Sequence, residues 1–322
     1  MTVASRTPST PPSDIAVALP DGPWRHEMVA SGGSRFHVAV AGPADRLAPL
    51  VVLLHGFPQF WWAWRHQIPA LAEAGYRVAA MDVRGSGASD KPPGGYDVLA
   101  RASDVAGVVR SLGRERAIVV GHGTGGVLAW GVAALHPRVV AGVAALGAPH
   151  PARVVVSGRA ALTPLALRHL AFYQLPTLPE RALTGGSLVA QVLAHGAAVP
   201  FAPEAVARYR DVLRIPFAAH SAMEALRWAV RSASRASGHQ LRAAVRRPLT
   251  VPALQVHGSL DGLVRPESAD LDAARLARDF RYDAVAGAGH FLPEEAPAEV
   301  TEILLSWLRP VAERHALGLV AR

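Results

Sequence analysis

The 322-residue chain predicts an α/β fold built on a doubly wound, mostly parallel sheet, and three observations carry that expectation. Short apolar runs such as Leu50–Leu54 and Ala117–Val120 alternate with segments of helical apolar spacing, as in strand–helix–strand units whose strands are buried on both faces. Several runs end in glycine-rich turns, at His55-Gly56, at Gly121 to Gly126 and at Gly287-Ala288-Gly289-His290. From Ala152 to about Pro248 the strand pattern stops, and helical stretches broken by Pro176, Pro179, Pro200 and Pro203 replace it. That segment reads as a helical insertion over the carboxyl ends of the strands, where open α/β sheets bind ligands.

Composition narrows the function. Half the residues are hydrophobic and 18% are charged, which suits a chain with a sizeable core. There is no cysteine, so neither a disulfide framework nor a thiolate metal site is available, and the usage suits the cytoplasm. Histidine and carboxylates do not cluster at metal-ligand spacing, and Gly85-Ser86-Gly87 lacks the lysine and spacing of a phosphate loop. No metal or cofactor is expected. The net charge of +8 raises nucleic acid and anionic membrane as partners. The arginines are scattered, however, and the densest patch, Arg231 to Arg247, has no interleaved aromatics, so it reads as a solvated face. No apolar run approaches the roughly 20 residues that span a bilayer. The expected partner is a small apolar organic molecule, and the sequence carries no signal for an oligomeric state.

In order, Met1 to Asp14 is rich in Ser, Thr and Pro without an apolar h-region, and residues 1–22 read as a disordered leader. Trp24–Ala30 and Arg35–Val40 alternate around Ser-Gly-Gly as a hairpin would. Leu50–Leu54, Tyr76–Met81, Ala117–Val120 and Val139–Leu146 read as strands, with helices between them up to about Ala74, at Tyr96–Leu112 and from Thr124. Core residues 23–151 resume at 249–310, after an insertion of 152–248, with strands at Val251–Val256 and Arg281–Ala286. A last amphipathic helix, Ala296–Leu308, is expected to stop before Pro310, leaving 311–322 as a tail.

Three strand ends carry residues suited to chemistry. Gly121 and Gly125 flank Gly123 at the spacing of a nucleophile elbow, a strained strand-to-helix turn that lifts its central side chain above the sheet. Here the central residue is glycine. Asp261 and His290 follow two later strands, 29 residues apart and in the order acid, then base. His290 would serve as general base, with Asp261 fixing its tautomer. The backbone N–H groups of Phe57 and Thr124 would form an oxyanion hole, which does not depend on side-chain identity. Thr124 is a poor nucleophile candidate, because a β-branched residue tolerates positive φ badly.

In this order the pieces resemble an α/β-hydrolase of the epoxide hydrolase-like branch, over roughly residues 25 to 310. They are His55-Gly-Phe-Pro-Gln-Phe-Trp-Trp-Ala-Trp-Arg65, Asp82-Val-Arg-Gly-Ser-Gly-Ala-Ser89, Gly121-His122, Ala148-Pro-His-Pro151, Asp261 and Gly289-His290. The resemblance implies an α/β-hydrolase fold, an eight-stranded sheet with a helical cap. It also implies a covalent route: an elbow aspartate attacks the epoxide, the His–Asp pair activates water, and two cap tyrosines protonate the epoxide oxygen. The aspartate corresponds to Gly123, and the tyrosines fall near His169 and Ala229; Tyr173 and Tyr209 remain in the cap. His55, Trp61, Trp62, His122, His150, His169, Tyr173 and Trp228 are the expected substrate-binding residues.

Two functions follow. One is an enzyme acting on a small ester, lactone or epoxide through His290 and Asp261, without a covalent nucleophile. The other is a catalytically silent homologue that binds an apolar small molecule.

Overall fold

The computed structural model of the protein describes residues 13–152, 161–266 and 277–320, without side chains beyond residue 314. Eight strands form one sheet in the order β1-β2-β4-β3-β5-β6-β7-β8. They are β1 (Arg25–Ser31), β2 (Ser34–Ala41), β3 (Leu50–Leu54), β4 (Arg77–Met81), β5 (Ala117–His122), β6 (Val140–Leu146), β7 (Ala253–Gly258) and β8 (Phe280–Val285). The hairpin β1–β2 pairs antiparallel and joins β4 antiparallel; every later pairing is parallel. The doubly wound expectation therefore holds, with the fold of an α/β hydrolase.

All five residues of β3 are buried, because helices cover both faces of the sheet. Val51 and Leu53 join a core with Trp61, Trp64, Ile68 and Trp307, whereas Val52 and Leu54 join one with Val105, Leu128 and Trp130. This is the period-two alternation of a strand dividing two apolar layers. The first layer holds α1 (Gln67–Glu73), and the second holds α2 (Val98–Ser111) and α3 (Thr124–Leu135). Parallel pairing brings the carboxyl ends of β3 through β8 to a single rim, and the loops after them carry His55, Asp82, Gly123, His150, Asp261 and His290.

Between β6 and β7 lie α4 (Pro164–Tyr173), α5 (Leu178–Thr184), α6 (Ser187–Gly196), α7 (Pro203–Leu213), α8 (Ala218–Arg231) and α9 (Ala236–Val245). Pro164, Pro179 and Pro203 open helices, where a missing N–H costs nothing because the first turn has no internal acceptor for it. Thr163 caps α4 by accepting from the Ala166 N–H at 3.2 Å. After β8 come α10 (Leu292–Glu295) and α11 (Pro297–Val320).

Two boundaries differ from expectation. The final helix does not stop at Pro310 but continues to Val320. Proline removes one helical hydrogen bond, yet Trp307, Leu308 and Val311 on either side of it are buried against the sheet. Packing there is close: a Cβ on Gly142 of β6 would lie 2.9 Å from Val311 Cγ1. At the other end, residues 13–22 of the expected leader are ordered, while residues 1–12 lie outside the described residues. Asp14 caps a single 3₁₀ turn, Ile15–Ala18, and the carbonyl of buried Ala18 accepts from Trp61 Nε1 at 2.8 Å.

Candidate active site

The turn from β5 into α3 is tight enough to demand glycine. A Cβ on Gly121 would stand 2.1 Å from the Gly125 carbonyl oxygen, and one on Gly125 would stand 2.3 Å from that of Leu54. Gly123 between them has φ +53° and ψ −120°, a region that L side chains rarely adopt. The direction of its absent side chain is specific. A Cβ there would lie 3.1 Å from His290 Nε2, with Gly56 Cα (3.7 Å) and His290 Cε1 (3.8 Å) next nearest.

His290 reaches this point from the turn after β8. Its backbone N–H donates to the Gly196 carbonyl at 2.8 Å, tying the turn to the end of α6. Its Nδ1 lies 2.9 Å from Asp261 Oδ2, while the other carboxylate oxygen accepts from the Leu263 and Val264 N–H groups, each at 2.8 Å. Both side chains are buried. Burial alone would lower the His290 pKa, but the Asp261 charge, the bond between them and the Glu295 charge outweigh it and raise the value. Asp261 moves the opposite way: burial would raise its pKa, and His290 with the two N–H donors pulls it down. Both shifts favour the charged pair, and Nε2 is left without a protein partner among the described residues.

Beneath the pair, His122 Nε2 lies 2.8 Å from the His290 carbonyl oxygen. Burial, with the His290 charge, lowers the His122 pKa to about 3, so the ring is neutral and donates that bond. His122 thus positions the His290 backbone.

Beside the elbow is a cavity of about 120 Å³, with His55, Gly56, Phe57, Thr124 and Trp228 in its wall. That is close to the roughly 150 Å³ of an engineered apolar cavity that holds benzene. Neither Gly123 nor His290 belongs to the wall, although Gly56, which does, approaches the site of the absent Cβ. Neither the Phe57 nor the Thr124 N–H has an acceptor among the described residues, so two backbone donors remain free beside the cavity.

The other expected binding residues divide. His55 and Trp228 line the cavity. Trp61 does not: its indole N–H is used on Ala18, and its ring packs edge-on against Trp24 at 5.1 Å. Trp62 packs near Phe60 and Tyr209 and carries Arg65 over its face at 3.7 Å. His150 lies 4.9 Å from the Trp130 ring and is buried, with its pKa lowered to about 4. His169 pairs with exposed His195, Nε2 to Nδ1 at 2.9 Å. The Tyr173 ring sits edge-on to Phe57 at 5.7 Å, and burial pushes its phenol pKa upward. Tyr209 is fully buried and gives its hydroxyl to Glu294, whose carboxylate also accepts from Gln59 (2.6 Å) and pairs with Arg65 (2.8 Å). Ala229, at the place expected for the second tyrosine, lines the cavity with a methyl group.

Several wall residues were not legible as site residues, Arg84, Arg101, Ser221 and Ala222 among them. They stand on a loop and two helices whose facing the apolar pattern does not single out. Among the described residues, no group of three His, Asp or Glu side chains could hold a metal ion, and no helix is long and apolar enough to cross a membrane.

The fold and the rim geometry define the class, and residues 49–297 match the model of the alpha/beta hydrolase fold family, to which the chain belongs. Its similarity extends to named relatives. An AB hydrolase superfamily protein of Bacillus subtilis, YfhM, is 33% identical over 290 residues, covering 88% of this chain and 97% of that protein. Epoxide hydrolase A of Mycobacterium tuberculosis is 30% identical over 313 residues, covering 87% and 96%. Among solved structures, wild-type Cfl2 of Burkholderia cenocepacia superposes with a TM-score of 0.78 at 28% identity, covering 92% of this chain and 99% of that one.

Proposed function

We propose that this chain hydrolyses a small acyl substrate, an ester or lactone, with His290 and Asp261 as a general-base pair and no covalent intermediate. In this reading Gly123 takes the elbow position at which the resemblance implies a nucleophile, and the helical insertion acts as the cap. The observation that carries the reading is the His290–Asp261 bond of 2.9 Å with Nε2 left free and directed at the elbow. An ion pair this deeply buried is expensive to desolvate and gives weak support to stability alone.

In the proposed reaction, His290 Nε2 takes a proton from water as the water oxygen bonds to the acyl carbon. The carbonyl electron pair moves onto oxygen, and the Phe57 and Thr124 N–H groups hold that charge, each worth roughly 3–4 kcal/mol in such a role. Collapse expels the alkoxide, which recovers the proton from the imidazolium, leaving acid and alcohol. Asp261 holds the tautomer throughout. An epoxide substrate fits less well. It needs an acid at the ring oxygen, yet the two expected tyrosine positions are His169 and Ala229, Tyr209 is committed to Glu294, and Tyr173 packs on Phe57 without entering the cavity wall.

One observation favours the alternative of a silent homologue that binds a small molecule: no side chain exists at position 123 to attack anything. Short-chain aryl esters, lactones and a styrene oxide-type epoxide, tested on wild type and His290→Ala, separate the readings. Turnover that falls by about 10²–10⁴-fold in His290→Ala supports the enzyme. Wild-type turnover that survives His290→Ala, or no turnover at all, overturns it.

A further inference from the structure

We propose that Arg101 is the anchor for a carboxylate group on the molecule that occupies the cavity, an inference that builds on the proposed acyl hydrolase and names its substrate as a small carboxylate-bearing ester or lactone. Arg101 lies in α2 and lines the cavity together with Phe57 and Thr124, while only 8% exposed. Its Nε is buried without a partner, and its guanidinium makes no hydrogen bond or ion pair with any described residue. A buried, unpaired charge is among the costliest features a fold can carry, so a partner is implied.

The nearby carboxylates are already engaged. Arg84 grips Asp104 with both prongs, Nε to Oδ2 at 2.7 Å and Nη2 to Oδ1 at 2.6 Å. Asp97 caps α2 through the Ala100 N–H at 3.0 Å. Burial lowers the Arg101 pKa to about 10, against partial support from the Asp104 and Asp97 charges, so the group remains charged at neutral pH. His55 in the same wall is held neutral, first by burial and in part by the Arg101 charge. Asp104 and Asp97 act on Arg101 only at a distance, so its guanidinium has no carboxylate in direct contact among the described residues.

In the same wall α8 contributes Ala222, Ala225 and Ala229, whose spacing puts them on one helix face, together with Ser221, Leu226 and Trp228. The cavity is small and mostly apolar; of the two guanidiniums in its wall Arg84 is held by Asp104, which leaves the planar fork of Arg101 to match a carboxylate. A singly charged carboxylate neutralises that charge; a dianionic phosphate monoester would leave one negative charge buried.

The test is calorimetric titration of the full chain with benzoate and butyrate, their neutral counterparts benzamide and butyramide, and inorganic phosphate. Wild type is expected to bind the carboxylates about ten- to a hundredfold more tightly than the amides, and Arg101→Gln to erase the preference. Absence of a preference in wild type, or its persistence in Arg101→Gln, overturns the proposal. Phosphate binding as tight as benzoate and dependent on Arg101 overturns the carboxylate assignment. Thermal denaturation gives a second readout: Arg101→Met should melt above wild type in the absence of ligand, and a lower melting temperature would mark Arg101 as structural. His290→Ala keeps the two readings apart. The carboxylate preference should survive in that variant even though hydrolysis is lost. A preference without any wild-type hydrolysis would sink the enzyme and spare the anchor.

Discussion

The position a Cβ on Gly123 would take lies 3.1 Å from Nε2 of His290, closer than ordinary van der Waals contact. The imidazole therefore faces the elbow at short range, and any side chain at 123 must displace it by a few tenths of an ångström. Gly123→Ser would also place a side chain at φ +53°. We expect that variant to lose about 1–3 kcal/mol of stability in urea denaturation, and to gain ester hydrolysis over wild type because Oγ would fall beside the base. A variant equal to wild type in both stability and rate would show that position 123 does not face His290.

The raised pKa of His290 fixes the direction of its pH dependence. The base form is needed for proton abstraction, so the rate should climb with pH through an apparent pKa above 6.5. Asp261→Asn should move that inflection below 6.5 and reduce the plateau. The linked stability has the opposite sense. A histidine whose folded pKa is raised stabilises fully below pH 6.5 and loses that contribution as pH rises through the folded value. Denaturation of wild type and His290→Gln at pH 6 and pH 9 should show a stability gap that shrinks at the higher pH; a gap that widens contradicts the shift.

Tyr209 joins the insertion to the core through Glu294. Tyr209→Phe leaves that buried carboxylate with Gln59 and Arg65 only, and should cost about 1.5–3 kcal/mol. Ester turnover should keep its pH profile. A displaced profile with intact stability would place Tyr209 in the chemistry.

Trp61→Phe removes the indole donor to the Ala18 carbonyl and should loosen residues 13–22. Limited proteolysis is expected to cut that segment faster, with KM unchanged because Trp61 lies off the cavity. A large rise in KM would return Trp61 to the binding site.

What could be read from the sequence was local or repeated. The elbow was legible because Gly121 and Gly125 answer to backbone contacts near 2 Å that admit no other residue. Asp261 was legible because it follows the apolar strand run Val251–Val256, and His290 because the glycine turn Gly287-Ala288-Gly289 closes the next strand. The facing of the tryptophans was not, since Trp61 and Trp62 are adjacent in a 3₁₀ turn and tertiary packing alone sends them to different partners. Arg101 looks like any helical arginine until the fold turns it inward. The run of α11 past Pro310 had a signal that was outweighed: the apolar spacing of Leu304, Trp307, Leu308 and Val311 continues across the proline.

The most direct measurement of the central claim is a single-turnover hydrolysis of the best ester or lactone, followed by intact-protein mass spectrometry. The account predicts product formation with no acyl-protein mass at any time point, and no product with His290→Ala. An acyl adduct on the wild-type chain, at Thr124 or elsewhere, would contradict a reaction carried by His290 and Asp261 acting on water.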